Sequence, residues 1–528
     1  MKSFECYIPR HFRAASYFWG SLLLASFALA GCSEKSDPVL SDRAGGSDLE
    51  QTASTYGKHV PVILVVMDAL DASHVTHLGY GRDTTPFMDA FAKDGVSFRA
   101  AFSPAPYTVA GIGSLLTGRR PDTTGLYTKM NMLREDEMPI AAVLSRNGYL
   151  TRALVNNPNG GMRFGALRGF DEVSTLYEPA EDAKPNFTTR DGVEVHLPQA
   201  PEHLPHMRAF LDRVPEVAPF FFYAHMLEPH SPYVADEPFR SQFLDPNYNG
   251  IFLKGDTDDL LDTVYGRLDA NAEDRLAITA LYDGHLSFAD HSFGALMDDL
   301  RARGLYEESL IILTGDHGEA MFQHGRWGHN DHIYDEMIHV PLIVKLPGTE
   351  GPRNVIMENL VSTMDVLPTI CETLDLAPGD LPLDGKSLYS SLQSGAEPEG
   401  SRGLFLRTHH SSPDVALRTN DAKGIFLRND EGPPRFEFYD LSTDPKEELD
   451  LGRTDAPEVA AMKNAILAEY ARLKASRLRA LSNDKVEDSA TTLGALGYTD
   501  EVNAAAEGQL DPLSESLVDP QKDDIEHD

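Results

Sequence analysis

Ile311-Ile312-Leu313-Thr314-Gly315-Asp316-His317-Gly318-Glu319 is an aliphatic run that ends in a carboxylate, an imidazole and a glycine. Such a run reads as a strand buried on both faces of a mostly parallel sheet, and ligands of open α/β proteins gather just beyond the carboxyl ends of these strands. A divalent metal could be gripped there. Far upstream, Val62-Ile63-Leu64-Val65-Val66-Met67-Asp68 repeats the design. Folding that lays the two strands together would bring Asp68 beside Asp316 and His317. A lone strand-terminal Asp is as readily a helix cap or turn residue, so the expectation rests on the pairing of the two halves.

Outward from these strands, strand-like and helix-like runs alternate. Val62 to Met67 is followed by helix-like stretches at Thr85 to Asp94, Thr108 to Thr117 and Met138 to Asn147. Phe220 to Ala224, Leu310 to Thr314 and Val340 to Lys345 read as further buried strands; Arg275 to Arg303 and Val361 to Leu374 read as helices. Alternation of this kind predicts βαβ units and a mostly parallel sheet. After about Pro398 the texture changes to short strands at Gly403 to Thr408, Val415 to Arg418 and Arg435 to Leu441, then an Ala-rich amphipathic helix near Pro457 to Arg477. That is a small α+β appendage. Residues 501–528 are acidic with almost no aromatics, a composition that predicts disorder.

The 528 residues exceed what a single core of roughly 250–300 residues encloses, so one large domain plus a smaller one is expected. A formal charge of −36 argues against a nucleic-acid backbone as partner, and an anion site in this chain must be locally cationic. Three cysteines, Cys6, Cys32 and Cys371, cannot build a disulfide framework or a thiolate zinc site. Lys2, Arg10 and Arg13 precede a mostly apolar stretch from Ala14 to Ala30, which reads as a secretory signal. Leu29-Ala30-Gly31-Cys32 resembles a bacterial lipobox, whose cysteine would carry a lipid; the alternative is an ordinary cleaved signal peptide. The resemblance places the protein in the bacterial cell envelope, lipid-anchored at the outer membrane and facing the periplasm or the surface.

Asp68-Ala69-Leu70, Leu78-Gly79-Tyr80-Gly81-Arg82-Asp83-Thr84-Thr85-Pro86, Leu115-Leu116-Thr117-Gly118-Arg119-Arg120-Pro121, Gly315-Asp316-His317-Gly318-Glu319 and Val340-Pro341-Leu342-Ile343-Val344 occur in that order. Together they resemble sulfatases of the alkaline phosphatase superfamily, over roughly residues 60–450. Phe438-Tyr439-Asp440-Leu441, with Asp444-Pro445 and Glu447, resembles that family's C-terminal subdomain. The resemblance implies an alkaline-phosphatase-like three-layer αβα sandwich around a large, mostly parallel mixed sheet, with a small C-terminal α+β subdomain. It divides the chain into a lipoprotein signal peptide at 1–31, a flexible tether at 32–58, a catalytic domain at 59–395, the C-terminal subdomain at 396–480 and an acidic tail at 481–528.

One position departs from the family. Typical sulfatases carry a Cys or Ser, converted to formylglycine, nine residues before the Thr of their Leu-Thr-Gly, with Pro two and Arg four residues later. Here that position is Thr108, followed by Ala110 and Ile112, so formylglycine is not made. Formylglycine hydrate expels sulfate by collapse, whereas an ester on unmodified Thr must be released by attack of water on the transferred group. Phosphorus tolerates that attack well, and phosphoryl transfer asks mainly for positioning and cationic stabilisation. The expected activity is therefore metal-dependent ester hydrolysis with Thr108 as nucleophile, phosphate mono- or diester ahead of sulfate ester.

By resemblance one divalent ion is held by Asp68, Thr108, Asp316 and His317. Ala69 stands where many sulfatases have a second Asp, which thins the oxygen shell that Ca²⁺ prefers and leaves Ca, Mg, Mn and Zn all in play. His230, in His225-Met226-Leu227-Glu228-Pro229-His230, resembles the family's anion-contacting general acid, and His329 takes the place of an anion-binding Lys or His. His225 reads as a packed or supporting residue, His324 stays undecided between packing and site, and His409 and His410 read as loop positions. Arg119 and Arg120 read as helix-closing cations, and Glu319 as a loop anchor. A sulfuric ester hydrolase, a phosphotransferase acting on envelope glycan or lipid, and a non-catalytic anion-binding pseudoenzyme are the alternatives. Partners are a small-molecule, glycan or lipid ester and, through Cys32, a membrane; the oligomeric state is not legible.

Overall fold

The computed structural model describes residues 60–127, 131–157, 159–160, 164–176, 187–188, 194–195, 199–214, 218–254, 269–329, 332–380, 382–408, 414–429 and 433–481. The predicted signal segment and tether, the tail beyond 481, and His409 and His410 lie outside these ranges.

The main sheet has eight strands: β1 (Val62–Met67), β2 (Val96–Phe98), β3 (Leu150–Val155), β4 (Glu172–Thr175), β5 (Phe220–Met226), β6 (Leu310–Gly315), β7 (Leu342–Lys345) and β8 (Val355–Met357). Their spatial order is β8-β2-β7-β6-β1-β5-β3-β4. β6, β1, β5, β3 and β4 run parallel, while β7 is antiparallel to both its neighbours. The sheet is the large, mostly parallel mixed sheet that the resemblance implies.

Five helices matter here: α1 (Pro86–Ala92), α2 (Thr108–Thr117), α3 (Ala272–Ala302), α4 (Val366–Thr373) and α5 (Pro457–Leu481). Alternation along β1 explains the layers, because successive side chains of a strand point to opposite faces. Val62, Leu64 and Val66 pack into one core with Ile112, Leu115 and Leu116 of α2 and Leu367 and Ile370 of α4. Ile63, Val65 and Met67 enter another with Phe91 of α1 and Ile278, Leu281 and Phe293 of α3. α3 starts where it does because the Asn271 side chain accepts from the Glu273 and Asp274 N–H groups, with two acids in the first turn.

β9 (Leu404–Arg407), β10 (Val415–Arg418), β11 (Ala422–Leu427) and β12 (Arg435–Asp440) form an antiparallel meander. One face, with Phe405, Val415, Phe426 and Phe438, is covered by α5. The other, with Leu404, Leu406, Ala416 and Ile425, packs on Phe102, Ile333 and Ile338 of the larger domain.

Some elements differ from expectation. The stretch from Val361 to Leu374 is a two-residue strand, Val361–Ser362, a short turn and then α4. Ser362 interrupts the helix because its side chain accepts from the Met364 N–H and the Asp365 side chain answers at the Ser362 N–H. β11 carries no strand signal, since Lys423 and Gly424 fall in its middle. A Cβ at Gly424 would lie 2.4 Å from the Met462 side chain of α5, so the helix demands glycine there. Among the described residues no helix is long and apolar enough to cross a membrane.

Candidate active site

β6, β1 and β5 end level with one another: Met67 pairs with Gly315 on one side and Met226 on the other. Asp68, the Asp316-His317 pair and the loop to His230 therefore emerge at one height on the sheet edge. β3 adds Asn156 and Asn157 from the next strand over.

Each first residue is held by its neighbours. Asp316 Oδ1 accepts from the Ala69 N–H (3.1 Å) and the His317 N–H (2.9 Å), while Oδ2 has no hydrogen-bond partner. Asp68 accepts on Oδ2 a short hydrogen bond from Asn157 Nδ2, and its Oδ1 is left without one. His317 donates from Nδ1 to the Gly318 carbonyl at 2.9 Å, which fixes the tautomer and aims Nε2 inward. That nitrogen lies 3.3 Å from Asp68 Oδ1, 3.5 Å from Asp316 Oδ2 and 3.3 Å from Thr108 Oγ1. The Asp68, Asp316 and His317 side chains are fully buried, and their ligand atoms lie within 4.8 Å of one another. Two buried carboxylate oxygens without donors, beside an imidazole presenting a lone pair, make a donor set that fits a divalent cation.

Electrostatics of the side chains alone agree. Burial and the neighbouring Asp68 push Asp316 upward. For Asp68 burial works the same way, but the charges of His230 and His225 and the contact with His317 outweigh it and hold the carboxyl well below its usual range. Burial works against a charge on His317, yet Asp316 and Asp68 raise it to about 9. The Asp68 charge is thus met by His317 when no ion is bound, a role that a cation at this place would take over.

Ala69, in the place of the family's second Asp, sits at φ 60° and is buried. Tyr282 of α3 clamps this turn, donating to the Ala69 carbonyl (2.7 Å) and accepting from the Asp71 N–H (3.0 Å). Thr108 is the first residue of α2, whose preceding residue, Tyr107, provides no side-chain cap. Its hydroxyl is nearly buried at the positive end of a ten-residue helix. α2 comes this close because Gly111 has no side chain: a Cβ there would stand 2.3 Å from the Asp316 carbonyl oxygen. Ile112, at the family's arginine position, is in the core.

His230 donates from Nδ1 to the Ser231 carbonyl at 2.6 Å, and its backbone N–H donates to the Asp68 carbonyl. Its ring lies 4.8 Å from that of His329, which lies 4.4 Å from that of His317. His329 Nδ1 meets Glu319 Oε1 at 3.2 Å, so Glu319 holds the histidine. Burial pushes Glu319 up to about 8.

All six residues singled out by the sequence thus converge: Thr108, His230 and His329, with Asp68, Asp316 and His317. His225, read as a supporting residue, is also in the cluster, with Nε2 3.5 Å from Asp68 Oδ2. Burial lowers its pKa to about 4. Asn157 is missed by the sequence reading; its signal, an Asn-Asn pair after an aliphatic run, is indistinguishable from a turn. His324 lies outside the cluster, between Glu336 (2.8 Å) and the Glu447 carbonyl (2.9 Å). Arg119 pairs with Glu137, and Arg120 with Asp384 and Glu469.

Fold and site define a hydrolase of alkaline-phosphatase-like architecture. The sulfatase family model matches residues 61–376, more than half of the chain. The chain belongs to the sulfatase family and is a sulfatase-like ester hydrolase. A second model, the C-terminal region of N-sulphoglucosamine sulphohydrolase, matches residues 323–475. An ulvan-active sulfatase of Formosa agariphila is 26% identical over 485 residues, covering 85% of each chain. A multifunctional alkaline phosphatase superfamily protein of Trinickia caryophylli is 22% identical over 485 residues, covering 73% of this chain and 90% of its own. Among solved structures, the phosphonate monoester hydrolase of Agrobacterium radiobacter superposes with a TM-score of 0.64 at 22% identity, covering 79% of this chain and 96% of that one.

Proposed function

We propose that the chain hydrolyses phosphate mono- or diesters, with sulfate esters second, using Thr108 as an unmodified covalent nucleophile beside one divalent ion held by Asp68, Asp316 and His317. The observation that carries this reading is the Thr108 hydroxyl, 3.3 Å from His317 Nε2 at the uncapped start of α2. A bound ion would lower the pKa of that hydroxyl and draw charge from the transferred group. Thr108 Oγ1, its proton lost to solvent, forms the new bond to phosphorus as the bond to the leaving oxygen breaks. His230 gives that oxygen a proton from Nε2. His329, fixed by Glu319, and the first-turn N–H groups of α2 face the anionic oxygens. Water then attacks the phosphothreonine and restores the hydroxyl.

The relatives favour a second reading, sulfate ester hydrolysis on a glycan, since one is an ulvan-active sulfatase. Aryl phosphodiester, phosphomonoester and sulfate ester turnover with Mn²⁺, Zn²⁺, Mg²⁺ or Ca²⁺ separates the two. Phosphoester turnover should dominate and fall at least about 10³-fold in Thr108→Ala; sulfate turnover well above phosphate would reverse the preference. Acceptor-dependent product would mark a phosphotransferase, and no turnover on any substrate a pseudoenzyme. The leader and the Cys32 lipobox put this domain on a lipid anchor in the cell envelope. Cys32→Ser then moves the protein from the membrane fraction to the soluble one, and unchanged fractionation removes the anchor.

A further inference from the structure

His225 sits near the end of β5, and both of its ring nitrogens lack a hydrogen-bond partner although the side chain is fully buried. Buried polar groups in folded proteins are almost always paired. Here something specific holds the ring: the turn after Asn157 closes on it, and a Cβ at Gly160 would lie 2.5 Å from His225 Nδ1. The ring is therefore kept in one orientation with its other nitrogen, Nε2, turned to the carboxylates.

Nε2 lies 3.5 Å from Asp68 Oδ2 and 4.0 Å from Asp316 Oδ2. His317 Nε2 faces the same two groups from the other side, 3.3 Å from Asp68 Oδ1 and 3.5 Å from Asp316 Oδ2. Each imidazole thus takes one oxygen of Asp68, and both look at the single unpartnered oxygen of Asp316. Nitrogen and oxygen ligands bound to one first-row ion at about 2.0–2.2 Å lie no more than roughly 4.4 Å apart; His225 meets that limit with one oxygen of each carboxylate, through the Asp68 oxygen that His317 does not face. Both of these His225 contacts are too long for a hydrogen bond.

We propose that His225 is a further metal ligand, supplying a second imidazole where Ala69 has removed the family's second carboxylate. The centre then holds two nitrogens and two carboxylates next to Thr108. Imidazole favours Zn²⁺, Fe²⁺ and related ions over Ca²⁺, which takes all-oxygen shells of six to eight ligands. The inference rests on the metal-dependent reading above and narrows it to a transition-metal centre.

X-ray absorption of the Zn²⁺-loaded wild-type chain counts imidazoles directly. Two are expected, and one overturns the assignment without disturbing the metal reading. Competition against a chromophoric chelator should show His225→Gln binding Zn²⁺ at least tenfold more weakly than wild type while the metal-free circular dichroism spectrum is kept. Equal affinity in a folded variant overturns the assignment. Should the variant not fold, the wild-type absorption spectrum decides alone. Failure of the wild-type chain to bind any divalent ion removes both the proposal and the reading beneath it.

Discussion

At the scale of single residues, Asn157 shows how a supporting group governs a site it does not define. Its amide donates to Asp68 Oδ2, which turns Oδ1 toward His317 and fixes the carboxylate plane. Groups that orient a ligand are worth about 10–100-fold in metal affinity when removed. Asn157→Ala should weaken Zn²⁺ or Mn²⁺ binding by that factor in a chelator titration; an unchanged dissociation constant would show that Asp68 keeps its rotamer unaided. The sequence names Asp68, Asp316 and His317 because they end aliphatic strands in a spaced series of motifs. It cannot name Asn157, since asparagine after a strand is equally a turn residue and the chemistry lies in which neighbour it faces. His225 is hidden for a related reason: its place within a buried strand suggests packing, and only the parallel pairing of β5 with β1 sets it beside the acids.

At the scale of elements, the segment carrying His329 is pinned to the C-terminal meander by a buried charge cluster. Lys423 of β11 is fully buried between Asp335 (2.8 Å) and Glu447 (2.7 Å), and Arg418 of β10 pairs with Asp335 at 3.1 Å while lying over the Phe102 ring. Removing one partner of a buried ion pair strands the others and costs about 3–5 kcal/mol. Lys423→Met should lose that much in denaturant unfolding, and a loss under about 1 kcal/mol would mean that the acids are neutral or hydrated. Nearby, His324 stacks on Tyr334 at 3.8 Å and pairs with Glu336. Burial opposes its charge, but Glu336 and the Glu447 carbonyl raise its pKa to about 9. A histidine raised in the folded state contributes stability that is complete below its unfolded pKa of about 6.5 and fades as pH climbs through 9. The side chain is 17% exposed, so about 1–2 kcal/mol is expected after allowance for screening. The stability gap between wild type and His324→Gln should be that large at pH 6 and nearly gone at pH 9.5; a gap constant with pH would rule out the charged pair. The same scale explains what the sequence left unread. β1, β5 and β6 are buried on both faces and spell themselves out in aliphatics, whereas β2 and β8 have three residues each and β4 is only half-buried. β3 hides because Arg152 interrupts it, an arginine matched to Glu172 on the neighbouring strand.

At the scale of the whole molecule, a chain of formal charge −36 places two fully buried carboxylates, Asp68 and Asp316, together at the strand ends of its largest sheet. Two acids brought from opposite faces of a sequence gap of 248 residues into one dry pocket repel each other, and the fold concentrates that repulsion at the ends of β1 and β6. An ion that binds this arrangement and not the unfolded chain stabilises it by RT ln(1 + [L]/Kd), about 4 kcal/mol at a thousandfold excess over Kd. Because the proposed ligands come from β1, β5, β6 and the start of α2, that energy would be shared by the whole catalytic domain instead of by one loop. Removal of the ion with a chelator should therefore lower the main melting transition by several degrees, and adding back the native metal should restore it. The C-terminal meander, tied in through Asp335 and Lys423, should melt in the same transition. Differential scanning calorimetry with and without chelator reads both effects. A melting temperature indifferent to chelation would remove the ion from Asp68, Asp316 and His317, and a meander that melts separately would show that the buried charge cluster does not couple it to the sheet.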